Sequence, residues 1–157
     1  MAVFKCKMCG GNLDVADGMT VCECEYCGTK QTLPKSSDEQ QLNMINRANH
    51  FRQQCEFDKA MEIYERMLQS NDSDAEIYWS IVLCRYGIEY VSDPLTGKKI
   101  PTCHRAQYTL ITQDPDYLEA LSHADEMQKE VFQREAEYIA NVQKGILEIS
   151  NKEEPFD

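Results

Sequence analysis

Two short cysteine turns constrain this chain more than anything else in it. Cys6-Lys7-Met8-Cys9-Gly10 and Cys24-Glu25-Tyr26-Cys27-Gly28 repeat one C-x-x-C-G spacing, with fourteen residues between the two motifs. In such a turn both sulfurs project into the same loop, and the glycine relieves backbone crowding. Two turns joined by a hairpin supply four sulfurs, the tetrahedral donor set that zinc prefers. Residues 1–33 bury too little apolar surface to fold unaided, so metal binding would supply their folding free energy. A site closed by Cys6, Cys9, Cys24 and Cys27 leaves no position open for water or substrate, so its expected role is structural. Two disulfides or free thiols are the alternatives, and iron could occupy the same four sulfurs. Cys22 is a spare thiol two residues before Cys24 on the same strand face, but only Cys24 makes the C-x-x-C-G spacing with Cys27.

Composition narrows the classes further. Five of the eight cysteines fall within the first 27 residues, and no apolar run resembles a secretory signal, so a cytoplasmic, reducing location is expected, where paired C-x-x-C turns hold metal. No stretch is apolar enough to span a membrane. The formal net charge is −11, and residues 1–35 balance four lysines against four acidic residues. Four zinc-bound thiolates would make that segment more negative still, so nucleic acid is not an expected partner.

The paired turns resemble a zinc ribbon with rubredoxin-type turns at both ends. Leu13 and Val15 alternate with polar residues, Asp17-Gly18 reads as a hairpin turn, and Met19 to Cys24 reads as the return strand. The expected organisation is a small β zinc ribbon over residues 1–34 and a linker over 35–41, where Pro34 to Asp38 breaks the pattern. An all-α helical domain follows over 42–150, with an inserted β-hairpin. Leu42, Ile45, Ala48, Phe51 and Cys55 form one helical stripe, and Ala60, Ile63, Tyr64, Met67 and Leu68 a second. Ser73-Asp74-Ala75-Glu76 fits a capping box opening a third helix that ends near Gly87. The turn-rich centre Asp93 to Gly97 marks a hairpin excursion over about 88–102. Asp114-Pro115 reads as an N-cap with proline at the first helical position. Leu118, Leu121, Met127, Val131, Tyr138, Val142, Ile146 and Ile149 then predict a long helix over about 115–149, with or without a subtle break, and residues 151–157 form a charged tail.

Residues 41–74 resemble one tetratricopeptide repeat, a helix pair with a period near 34 residues, through Ala48, Phe51, Phe57, Ala60, Tyr64 and Met67. Ala75 to Trp79 resembles the start of a second repeat, which Asp116 to Ala120 would close after the hairpin. Asp72 stands where the family usually has proline. Such helix pairs present a concave face to peptides or proteins, and Asn49, Arg52, Gln53, Trp79, Leu83 and Tyr86 are the candidate lining by position. The alternative is that Trp79 and Tyr86 are buried against the long helix. His50, His104 and His123 are scattered and read as surface or core, Cys55 and Cys84 as core, and Glu130, Glu135 and Glu137 as a solvated face. No phosphate-binding glycine loop is present.

Taken whole, the chain resembles the N-terminal region of bacterial Toll/interleukin-1 receptor (TIR) domain proteins. The residues concerned are Cys6 to Gly11, Cys24 to Gln31, Tyr86 to Val91 and Lys144 to Ser150, with Pro155-Phe156-Asp157 matching the lead-in to a first TIR strand. The resemblance implies a non-catalytic zinc-binding module of a bacterial signalling protein that acts in antiphage defence and cleaves NAD through a TIR domain absent from this chain. Its expected partner is a protein, either its own TIR domain or another, and a homo-oligomer stays open. A stand-alone zinc-stabilised tetratricopeptide-type adaptor is the alternative. A nucleic-acid-binding ribbon conflicts with the charge, and a thiol redox protein would require a metal-free, reactive C-x-x-C.

Overall fold

The computed structural model describes residues 4–13, 18–35, 38–105 and 107–153, with side chains through residue 146. Val15 and Asp17 of the expected hairpin, residues 36–37 of the linker and residues 154–157 of the tail lie outside the described residues.

Four short strands come first: β1 (Phe4–Lys5), β2 (Asn12–Leu13), β3 (Val21–Glu23) and β4 (Lys30–Thr32). They pair antiparallel as β1 with β2 and β3 with β4, so each hairpin closes around one cysteine turn. The expected turn at Asp17-Gly18 falls partly outside the described residues; among the described residues β2 does not pair with β3. The cysteine turns set the pairing because they satisfy their own backbone. Cys6 N–H donates to Gly11 O at 2.7 Å and Gly10 N–H to Cys6 O at 3.0 Å; Cys24 N–H donates to Thr29 O at 3.0 Å and Gly28 N–H to Cys24 O at 2.8 Å. Gly10 and Gly28 take φ of +80° and +74°, a left-handed backbone that a Cβ would strain.

Three helices follow: α1 (Glu39–Gln53), α2 (Phe57–Ser70) and α3 (Ala75–Arg85). α1 begins ahead of the expected residue 42 because Asp38 caps it, accepting from Gln40 N–H at 3.0 Å. α3 is capped by Asp74, which accepts from Glu76 N–H at 3.1 Å, and this moves the expected Ser73 cap by one residue. The shift frees the Glu76 carboxylate from any capping role.

Nine residues of α3 are buried. A helix that is apolar nearly all round must be covered on both sides, and α3 divides the interior into two cores. Ile77, Ile81 and Cys84 pack with Leu42, Ile45 and Ala48 of α1, Ala60, Tyr64 and Met67 of α2, and Phe4, Leu13 and Leu33 of the strand region. Trp79, Val82, Leu83 and Tyr86 pack instead with elements further along the chain.

Those elements are the hairpin β5 (Ile88–Ser92) and β6 (Lys99–Cys103), α4 (Pro115–His123) and α5 (Glu126–Glu153). β5 and β6 pair from Ile88↔Cys103 to Ser92↔Lys99, where the excursion was expected. Asp114 caps α4 through Asp116 N–H at 2.9 Å, with Pro115 in the first turn. The long helix expected over about 115–149, with or without a subtle break, is two helices. Asp125 and Gln128 form a capping box that opens α5: Gln128 N–H donates to Asp125 at 2.8 Å, and Asp125 N–H to Gln128 at 3.0 Å. The break rotates the buried stripe, so Phe132, Ala136, Ile139 and Ala140 face the core. Leu118, Met127 and Tyr138 of the expected stripe are 52%, 58% and 46% exposed. α5 runs past the expected boundary to Glu153. Among the described residues no helix is long and apolar enough to cross a membrane.

Candidate metal centre

The two cysteine turns face each other. Cys6 Sγ lies 3.6 Å from Cys27 Sγ, and Cys9 Sγ lies 3.7 Å from Cys24 Sγ, so each close pair joins one turn to the other. All four sulfurs fall within 4.8 Å of one another, and none is in a disulfide. A tetrahedral zinc with bonds of about 2.3 Å holds its sulfurs about 3.8 Å apart. The four residues therefore fit a metal ion and are compatible with zinc. Cys22, on β3 opposite Gln31, stays outside the group.

Donors are already aimed at the sulfur of Cys6. Met8 N–H and Cys9 N–H reach it at 3.4 Å each, and Gln31 Nε2 at 3.2 Å. Burial opposes ionisation of this thiol, but the hydrogen bonds from Cys9, Gln31 and Met8, with that of Cys27, outweigh it and bring its pKa down to about 7. Cys9 is pushed up to about 12 by burial, by the thiols of Cys6 and Cys24, and by the charge on Cys6. Cys27 is raised too, first by burial and then through Cys6. Four thiols this close would all carry charge only with a cation among them, so the cluster could hold a metal ion.

The centre is anchored to the helices by a buried polar chain. Lys7 N–H donates to Gln31 Oε1 at 2.8 Å, while Gln31 Nε2 holds Cys6. Lys7 Nζ donates to Glu76 Oε1 at 2.6 Å and to Thr32 Oγ1 at 2.9 Å, and the Thr32 hydroxyl donates to Glu76 Oε2. Lys7 and Glu76 are only 4% and 0% exposed. From the other side, Gln53 Nε2 on α1 donates to Lys7 O at 2.8 Å and Cys6 O at 3.2 Å. The sequence marked the four sulfurs through their spacing but gave no local sign of Lys7, Gln31, Thr32 or Glu76. Their only signal was the charge of Lys7 inside a turn and of Glu76 at the head of an otherwise apolar helix.

The six residues expected to line a partner-binding face need correction. Asn49, Arg52, Trp79, Leu83 and Tyr86 are buried, and Gln53 is engaged by the first cysteine turn. Asn49 accepts from the Tyr64 hydroxyl, and Trp79 packs on Phe132 with ring centroids 5.1 Å apart. The Tyr86 hydroxyl donates to Asp114 at 3.1 Å. With only four helices packed in succession before α5, the inner helix faces cover one another, and no open concavity is left at these residues. Glu135 also departs from a purely solvated role, since it accepts from the Tyr90 hydroxyl at 2.7 Å and ties the hairpin to α5.

Neither protein-family models, nor curated proteins, nor solved structures give a match to the chain.

Proposed function

We propose that this chain is a non-catalytic, zinc-stabilised protein-interaction module of a bacterial TIR-domain signalling protein. Residues 4–35 are a zinc ribbon in this reading, held by Cys6, Cys9, Cys24 and Cys27. The observation that carries it is the mutual approach of the four sulfurs, which leaves no coordination position for a substrate. The helices that follow are tetratricopeptide-like: α1 packs on α2 with Ala48 and Ala60 in their shared core, and α3 packs on α4 once the β5–β6 hairpin has been inserted. The partner is a protein, its own TIR domain or another, and it meets exposed surface rather than the buried residues Asn49, Arg52, Trp79, Leu83 and Tyr86.

The test is to read the native gene past the codon for Asp157 and to assay the longer product. A continuing frame that encodes a TIR domain, together with NAD cleavage that changes in Cys24→Ser, supports the proposal. A stop codon there contradicts the TIR half and leaves the zinc-stabilised adaptor. Failure of the purified chain to hold stoichiometric zinc contradicts both.

A further inference from the structure

Cys55, Glu89 and His104 are far apart in the chain, yet their ligating atoms lie within 4.8 Å of one another. Cys55 sits just beyond the end of α1, Glu89 is on β5, and His104 directly follows β6. We propose that these three residues form a second metal site, separate from the four-cysteine centre, which takes a zinc-class divalent ion and leaves one coordination position open to solvent.

The first argument is geometric. His104 Nε2 already lies 2.8 Å from Glu89 Oε1. A tetrahedral zinc holds sulfur and nitrogen ligands about 3.5 Å apart, so small side-chain rotations admit the ion. The donors stand on ordered elements. Glu89 pairs with Thr102 across the hairpin, and the Thr102 hydroxyl donates to Glu89 O at 2.8 Å. His104 N–H donates to Gly87 O at 2.8 Å, and the imidazole lies against Phe57 with ring centroids 6.3 Å apart. Cys55 and Glu89 are half-buried and His104 is exposed, which lets water reach the fourth position.

The second argument is the backbone of Cys55. Its φ is +63°, and among the described residues no other non-glycine residue has a positive φ. The turn is a Schellman motif, with Glu56 N–H donating to Phe51 O at 2.9 Å and Cys55 N–H to Arg52 O at 3.0 Å. Glycine normally takes this place, because a side chain there is strained. A plain ion pair between His104 and Glu89 accounts for those two residues, but not for a cysteine held in the left-handed region beside them. Such strain persists where the side chain has a task.

The donor set decides the ion. A thiolate with an imidazole suits zinc and disfavours magnesium or calcium. The Cys55 thiolate and the Glu89 carboxylate neutralise a dication, and His104 ligates as the neutral ring. On binding, the thiol proton leaves to solvent, the hydrogen bond between His104 and Glu89 gives way to two metal bonds, and water fills the open position. The neighbouring cation, Arg105, is held by Asp58 at 3.0 Å. We assign the site no reaction.

The test titrates the full chain, first saturated at its four-cysteine centre, with further zinc chloride in a calorimeter. The proposal predicts a second one-to-one event in the native chain, weakened at least tenfold in both Cys55→Gly and His104→Ala. Cys55→Gly should also raise the urea midpoint of the chelated protein, because glycine fits the backbone. This separates loss of a ligand from loss of the fold. A native chain that takes no second ion, or either variant that keeps it, overturns the proposal. Cys24→Ser empties the first centre alone, so failure there is distinguishable from failure here.

Discussion

Residues 4–35 and the helices after them reach order by different physics; they share a core on one side of α3, and β4 also touches α5. The strand region has two- and three-residue strands and few apolar side chains of its own. Its shape comes from four sulfurs, from turns that satisfy their own amides, and from donors aimed at Cys6. The helical region takes its shape from apolar stripes that need no ion: Trp79, Phe132, Ala136 and Ile139 share one buried apolar cluster. The comparison teaches where a metal can exert control. A metal would act directly on the first region, and its routes to the second include Lys7, Thr32 and Glu76 at α3, Gln53 of α1, and the Leu33 carbonyl held by Gln128 of α5.

Removing the metal breaks the comparison most severely. Cys24→Ser should lose the ion of the four-cysteine centre and unfold residues 4–35, since binding free energies of structural zinc in small modules are on the order of 10 kcal/mol. Metal analysis and backbone chemical shifts would record this. Cys22→Ser, which touches no ligand, should keep the ion; the reverse pattern would overturn the ligand assignment. Glu76→Ala comes next. It leaves a buried ammonium without its carboxylate and should destabilise the chain by about 3–5 kcal/mol in urea unfolding. The double variant Lys7→Met, Glu76→Leu should recover much of that loss, which sharpens the claim that charge pairing rather than packing is at stake. Phe132→Ala should cost a comparable or slightly smaller amount, about 3–4 kcal/mol, while zinc affinity stays unchanged because its core includes no residue of the cysteine turns. The smallest effect is Asp125→Ala, about 1 kcal/mol, from loss of the α5 cap.

What the sequence disclosed follows from the range of each signal. The C-x-x-C-G spacing is local and needs only a loop to bring two sulfurs together, so the four cysteines, the short strands and the β5–β6 hairpin were legible. Asp114-Pro115 is equally local, and it caps α4 as read. The break at Asp125 is also local, yet the sequence leaves it open, because a capping box in mid-stripe resembles surface polarity on a continuing helix. The pairing of β1 with β2 and of β3 with β4 is less legible, because the two cysteine turns and the Asp17-Gly18 dipeptide all offer hairpin signals. For the candidate partner-facing residues the packing agrees with the alternative in which Trp79 and Tyr86 are buried against the long helix. Periodicity places Trp79, Leu83 and Tyr86 on a helix face, but it does not say which element covers that face, and α4 and α5 do. Glu76 and Lys7 are 69 residues apart, and nothing short of the fold joins them.

The most direct measurement is amide hydrogen exchange along the chain with zinc bound and after chelation. If the metal centre and α3 are welded through Lys7 and Glu76, chelation should strip protection from residues 4–35 and also from α3 between Ile77 and Cys84, while α5 around Phe132 to Ala140 stays protected. Loss of protection confined to residues 4–35, with α3 unchanged, would contradict the account and make the metal module an appendage.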